Sequence, residues 1–165
     1  MTEKIPIEIS LHPLAWKVLR EQYHHDGKAV DVGHGWLYSM IVQGLERQHI
    51  FTPRRDLSRF PKGMVKGHLY IYYEDFLRYG RYMRLPRQAN ISRVIYRMER
   101  ERICRLVATL HVATGIERNK IMRQILQETD LTEDEMSFEA LKKYYQRNYR
   151  QKEENIMLLM KELKV

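Results

Sequence analysis

Apolar and polar residues alternate at the start of the chain, with Ile5, Ile7 and Ile9 on one side and Pro6, Glu8 and Ser10 on the other. A period of two with one apolar face predicts a short, half-buried strand over 5–9. The spacing then lengthens: Leu11, Leu14, Ala15, Val18 and Tyr23 recur at near-helical intervals, which predicts a helix over 11–23 opened by Ser10 to Pro13. Proline suits a first helical turn because its missing N–H would have had no partner there. The glycine-containing run HHDGKAVDVGHG ends that helix as a loop. A second amphipathic helix from Trp36 to about Gln48 gathers Leu37, Met40, Ile41 and Leu45 on one side.

Residues 49–67 read as an irregular basic connector, because Pro53, Pro61 and Gly63 stand among Arg54, Arg55, Arg59, Lys62 and Lys66. Alternation returns in HLYIYY at 68–73, with Leu69, Ile71 and Tyr73 on one face and Tyr70 and Tyr72 on the other, and predicts a second strand. EDFLRYGRYMRL then reads as a helix that Pro86 interrupts, and Asn90 or Ser92 caps a further helix from Ile91. The order strand, helix, loop, helix thus occurs over 5–48 and again over 68–102. Pattern rather than identity carries this recurrence, so a duplication is one account and coincidence another.

The remainder, 103–165, is helical throughout. The apolar stripe slips across ERER between Met98 and Ile103, which implies a break or a rotation of the buried face. Gly115 ends that helix, and residues 116–128 form another with Ile116, Met122, Ile125 and Leu126 inward. Thr132 and Glu135 have capping-box spacing, and Phe138, Leu141, Tyr145, Tyr149, Ile156, Leu159 and Leu163 continue as one long amphipathic C-terminal helix. The expected fold class is mainly α: about six helices, and two short strands able to pair as a small antiparallel ribbon. At 165 residues and 20.0 kDa the chain fits a single compact domain.

Charge changes this picture more than composition does. With 44% hydrophobic and 30% charged residues the chain has a globular balance and not that of a disordered one. The net charge of +8, however, divides unevenly into −1 over 1–50, +9 over 51–105 and 0 over 106–165. Twelve of the fourteen cations in the middle third are arginine, whose planar fork pairs with phosphate and stacks on bases. Arg93, Arg97 and Arg100 fall at i, i+4, i+7 opposite Ile91, Val94, Ile95 and Met98, giving one helix an apolar and a cationic face. Tyr70, Tyr72, Tyr79, Tyr82 and Tyr96 offer stacking surfaces or packing contacts.

Other chemistry is poorly supplied. His24, His25, Asp26 and His34 share one loop without metal-ligand spacing, and a solvated polar loop accounts for them better than a metal site. GKAVDVGHG lacks the spacing of a phosphate-binding loop, and no GxSxG occurs. Cys104, the only cysteine, lies among Ile103, Leu106 and Val107 as a buried, inert thiol, and Glu133, Asp134 and Glu135 suit a first helical turn. No cofactor and no enzymatic activity are expected. The start MTEKIPIEIS has no apolar leader core and no segment approaches the length of a membrane span, so a cytoplasmic location without a membrane partner is expected.

The segments IPIEIS, LHPLAWKVLREQY and WLYSMIVQGLERQ, followed by HLYIYY, EDFLRYGRYMRL and NISRVIYRMERER, resemble a tandem ribbon-helix-helix DNA-binding protein. That resemblance implies paired strands entering the major groove, with Glu8, Ser10, Tyr70 and Tyr72 as readers and the helix starts at Trp36 and Ile91 as phosphate clamps. No basic residue projects from either predicted strand. The function expected is non-enzymatic binding of nucleic acid, DNA over RNA, by a regulator or mobile-element accessory. Its contacts would be Arg54, Arg55, Arg59, Lys62, Lys66, Tyr70, Tyr72, Arg81, Arg84, Arg87, Arg93, Arg97 and Arg100. The alternative is an assembly or adaptor protein, with homo-oligomerisation through the C-terminal helix.

Overall fold

The structure, a computed structural model, describes residues 3–47 and 63–162. Among these the chain divides into two compact units, 1–96 and 97–165.

The first unit is built on β1 (Lys4–Leu11) and β5 (Val65–Tyr72), paired antiparallel from Lys4↔Tyr72 to Leu11↔Val65. The two strands that alternation predicts therefore pair as a ribbon, and both are longer than predicted. β1 continues to Leu11, which is fully buried as a strand residue, so α1 begins only at Pro13 and runs to Gln22. His12 caps it, its Nδ1 accepting from the Leu14 N–H at 3.3 Å. Extension at the outer ends also brings Lys4 and Lys66 onto the ribbon, directly opposite Tyr72 and Ser10.

Ile7, Ile9, Leu11, Leu69 and Ile71 are buried along with Leu14, Ala15, Val18 and Leu19 of α1. Each Ile, Leu or Val side chain among these contributes about 1.5–3 kcal/mol. Trp16 is buried too, and its Nε1 donates to the Val65 carbonyl at 2.8 Å. Gly67 is needed beneath that ring, because a Cβ there would press into it.

The predicted loop 24–35 contains a small hairpin, β2 (His24–His25) with β3 (Val30–Asp31), and β3 joins β5 in parallel at Val30↔Leu69. Asp26 closes its turn by accepting from the Lys28 and Ala29 N–H groups at 2.8 and 2.9 Å. Those amides and the Tyr70 hydroxyl hold the Asp26 carboxyl well below the usual carboxylate range. The sheet order is β1-β5-β3-β2, which leaves β1 at an edge. Gln88 and Ser92 cover part of that edge, accepting from Ser10 N–H at 2.6 Å and His12 N–H at 3.1 Å, and their burial follows from these bonds.

α2 (Trp36–Val42) is shorter than predicted, since Gly44 and β4 (Leu45–Glu46) follow it. α3 (Tyr73–Tyr79) likewise stops at Gly80, whose φ of 94° excludes continued helix, and Tyr82–Met83 forms β6, paired antiparallel with β4. α4 runs from Leu85 to Thr114 across the boundary between the units. Pro86 lies in its first turn and does not interrupt it. Nor does ERER break it: Glu99 is buried between Ile95 and Ile103 at four-residue spacing, so the stripe continues through a carboxylate that Arg102 binds at 2.5 to 3.1 Å. Helices dominate as predicted, but the described residues hold seven helices and six strands in place of about six and two.

The second unit contains the rest of α4, α5 (Arg118–Glu128), α6 (Phe138–Asn148) and α7 (Arg150–Glu162). Met122, Ile125 and Leu126 are buried as expected, whereas Ile116 precedes α5 and is exposed. The single long C-terminal helix is two helices joined at Tyr149. Thr132 and Glu135 do pair, the carboxylate accepting from both the Thr132 N–H and hydroxyl at 3.0 Å. Cys104 is buried, which pushes its thiol up to about 12.

The last helix is fastened by Glu153, which is 0% exposed. Its carboxylate takes a two-pronged bond from Arg118 at 2.7 Å, the Tyr145 hydroxyl at 2.7 Å and His111 Nε2 at 3.1 Å. Burial on its own would raise this carboxyl, but Arg118, Tyr145 and His111 together hold it below its ordinary value. His111 also points Nδ1 at the Ile116 carbonyl, 2.6 Å away, so both ring nitrogens face acceptors. One carboxylate thus joins α4, α5, α6 and α7.

Among the described residues no helix is long and apolar enough to cross a membrane.

Candidate nucleic-acid interface

The β4–β6 pair, Leu45↔Met83 and Glu46↔Tyr82, draws together residues that the sequence separates by more than thirty positions. Arg47 follows β4 and turns to the end of α3, donating from Nε to the Arg78 carbonyl and from Nη2 to the Leu77 carbonyl, both at 3.1 Å. A cation here meets the negative end of a helix and satisfies carbonyls that have no partner within it. Gly80 permits this closeness, because a Cβ at that position would collide with the Glu46 carbonyl and the Arg47 backbone. Arg84 binds Glu46 at 2.7 Å. Arg81 donates to the Tyr82 hydroxyl at 3.0 Å and lies 5.1 Å from the centre of that ring, while Arg78 lies 5.3 Å from the Tyr79 ring. Arg87 is exposed in the first turn of α4, which has no acidic residue.

Five arginines of the first unit thus stand next to β4, at the end of α3, beside β6 and at the start of α4, and Arg84 binds the Glu46 carboxylate. Like charges brought near one another repel, and a polyanion relieves that cost. Arg81, Arg84 and Arg87 were legible as candidates from the basic composition of 51–105. Arg47 was not, since it lies in a segment of net negative charge, and Arg78 was not singled out. The signal for both is the glycine that ends α3, which folds the chain back onto β4.

The ribbon surface has a different character. Lys66 pairs with Glu8 at 2.8 Å, Lys4 pairs with Asp31, and the Tyr70 hydroxyl donates to Asp26 at 2.7 Å. Tyr72 is stacked on His34, 4.3 Å between ring centres, with the Lys4 ammonium 5.0 Å from it. Of the four residues that the resemblance makes readers, Glu8 and Tyr70 are thus engaged in pairs and Tyr72 in a stack, while the Ser10 N–H is held by Gln88. Two lysines stand among three carboxylates on this surface.

Ile91 is buried in the second turn of α4 and does not begin a helix, so it offers no N–H group for a phosphate; the helix begins at Leu85 instead. Trp36 does begin α2 and is exposed. On α4, Arg93 and Arg97 are exposed, and Arg100 is half-buried with its guanidinium 3.7 Å from the centre of the Tyr144 ring. Arg54, Arg55, Arg59 and Lys62 lie outside the described residues. His24, His25 and His34 are exposed, and among the described residues no group of three His, Cys, Asp or Glu converges as metal ligands would.

Comparison with known proteins gives no matching family model, no matching curated protein and no matching solved structure.

Proposed function

We propose that this chain is a non-enzymatic nucleic-acid-binding protein that grips phosphate at the arginine corner formed by Arg47, Arg78, Arg81, Arg84 and Arg87. The observation that carries this reading is the pairing of β4 with β6, which turns Arg47 to the end of α3 that carries Arg78 and puts Arg84 on Glu46, with Arg81 and Arg87 close by in the chain. Each fork can bind two phosphate oxygens, and the neighbouring Tyr79 and Tyr82 rings add stacking surface. The antiparallel pairing of β1 with β5, each strand followed by a helix, supports the ribbon-helix-helix comparison in its connectivity. The carboxylates beside the ribbon favour phosphate contact at the corner over strand insertion into a groove. Binding there is sequence-independent and duplex DNA is the expected ligand.

Fluorescence anisotropy with a 20-base-pair duplex and with single-stranded DNA and RNA of equal length tests this. Affinity should fall steeply with salt, with a slope near −0.9 in log–log form per phosphate contacted. Reversal of Arg78, Arg81 and Arg87 to Glu should reduce affinity by about a hundredfold or more and flatten the slope by about three contacts. Affinity indifferent to salt and to this reversal refutes the proposal.

A further inference from the structure

Within the second unit, the start of α5, the middle of α6 and the first residue of α7 line a cavity of about 280 Å³. Each of the three helices contributes one cation to it: Arg118 from α5, Lys142 from α6 and Arg150 from α7. Asn119 and Gln146 add neutral donors, and Met122 and Tyr145, both buried, supply its apolar part. Glu117 is the one carboxylate of the lining; it is exposed, and its Oε1 accepts from the Asn119 side chain at 3.2 Å.

The three cations differ in how far the fold already satisfies them. Arg118 binds Glu153 through Nε and Nη2, which fixes the plane of its guanidinium and leaves Nη1 for a further acceptor, and 40% of the side chain meets water. Its orientation is set before any ligand arrives, which lowers the cost of binding one. Arg150 meets Glu154 only at 3.8 Å in an exposed i, i+4 contact, a pair that contributes little and is readily exchanged. Lys142 is half-buried, and among the described residues no ion pair engages it. A cation held partly out of water gains from an anion beside it.

We propose that this cavity binds the phosphate group of a small phosphate monoester. Cations that reach one space from three helices approach it from different directions. A monoester has three free oxygens and close to two negative charges, so it has an oxygen for each cation. A planar carboxylate has only two, and a phosphodiester of nucleic acid has two and a single charge. Arginine forks and a lysine point charge are also the side chains that phosphate takes. A volume of about 280 Å³ lies just below the roughly 300–1,000 Å³ of pockets for drug-sized molecules, so the rest of the ligand is compact and packs on Met122 and Tyr145. This site belongs to the other unit from the arginine corner and does not depend on the nucleic-acid reading.

Isothermal titration of the full chain with glycerol phosphate and with inorganic phosphate, at ionic strength held constant with chloride, tests this. Both should bind saturably at one site per chain, and acetate should bind about tenfold more weakly or not at all. Lys142→Met removes one cation, and Gln146→Glu puts a carboxylate among the cations at an exposed position. Each should weaken phosphate binding by about tenfold or more with an unchanged circular dichroism spectrum. Reversal of Arg78, Arg81 and Arg87 to Glu should leave it unchanged. The proposal is overturned by a titration that does not saturate, by acetate binding as tightly as phosphate, or by binding that survives either cavity substitution in a folded chain. Loss of phosphate binding on reversal of the corner arginines also overturns it, by assigning these anions to the nucleic-acid surface.

Discussion

Arginine is used in opposite ways in the two units. In the first, Arg47 is turned to the end of α3 that carries Arg78, and Arg81, Arg84 and Arg87 follow between Gly80 and the start of α4, with Arg84 on Glu46. In the second, arginines are engaged one by one: Arg118 on Glu153, Arg102 on Glu99 and Arg100 over Tyr144. A guanidinium matched to a buried carboxylate repays part of the desolvation of that carboxylate and acts as a structural tie. A guanidinium crowded by its own kind gains little in stability from its position. The difference teaches that an arginine excess is available to a polyanion only where the acids that would neutralise it are missing.

The largest expected effect separates these roles directly. Arg118→Gln should lower stability by about 2–3 kcal/mol, somewhat below the cost of breaking a fully buried pair because the guanidinium is partly in contact with water. The same substitution should leave nucleic-acid affinity unchanged, whereas reversal of the corner arginines should do the converse. Urea denaturation and anisotropy on both variants read the two effects, and an equal response in both assays removes the distinction.

Gly80→Ala sharpens the comparison from the backbone side. With φ at 94° and the Glu46 carbonyl and Arg47 backbone against it, the alanine should cost about 1–3 kcal/mol and loosen the corner, so affinity falls along with stability. Affinity kept at full strength would separate the corner from binding.

The smallest effect concerns acid. Glu153 has a lowered carboxyl in the folded chain, so its tie is fully present above the unfolded value of about 4.5 and is lost as pH falls through the folded value. The urea midpoint of the wild type should therefore drop below about pH 4.5, and Glu153→Gln should lack that component of the drop while starting from a lower midpoint.

The ribbon was legible in the sequence because a period of two over Ile5, Ile7 and Ile9, and again over Leu69 and Ile71, has no helical reading. Its true length was not, since Leu11 fits both the end of a strand and the start of a helix, and only the partner Val65 decides between them. The two-residue strands were illegible for a related reason: β4 and β6 exist through each other, and neither carries a periodic signal alone. Glu99 misled as a break in the apolar stripe because a buried acid is indistinguishable in sequence from an exposed one until Arg102 is placed beside it. The basic character of the candidate site was readable from composition. Its gathering by a fold-back at Gly80 was not.

The ribbon also determines the order in which this chain comes together. Every rung of β1 with β5 joins residues more than fifty positions apart, so its closure carries a loop entropy that the local helices do not. Helices therefore form ahead of the ribbon, and β1 waits with an unpaired edge until β5 emerges from synthesis. During that interval the nascent chain is open to pairing with a neighbour. The first half of this protein made alone should accordingly be prone to aggregate, and the arrival of residues 65–72 is the step that ends the hazard.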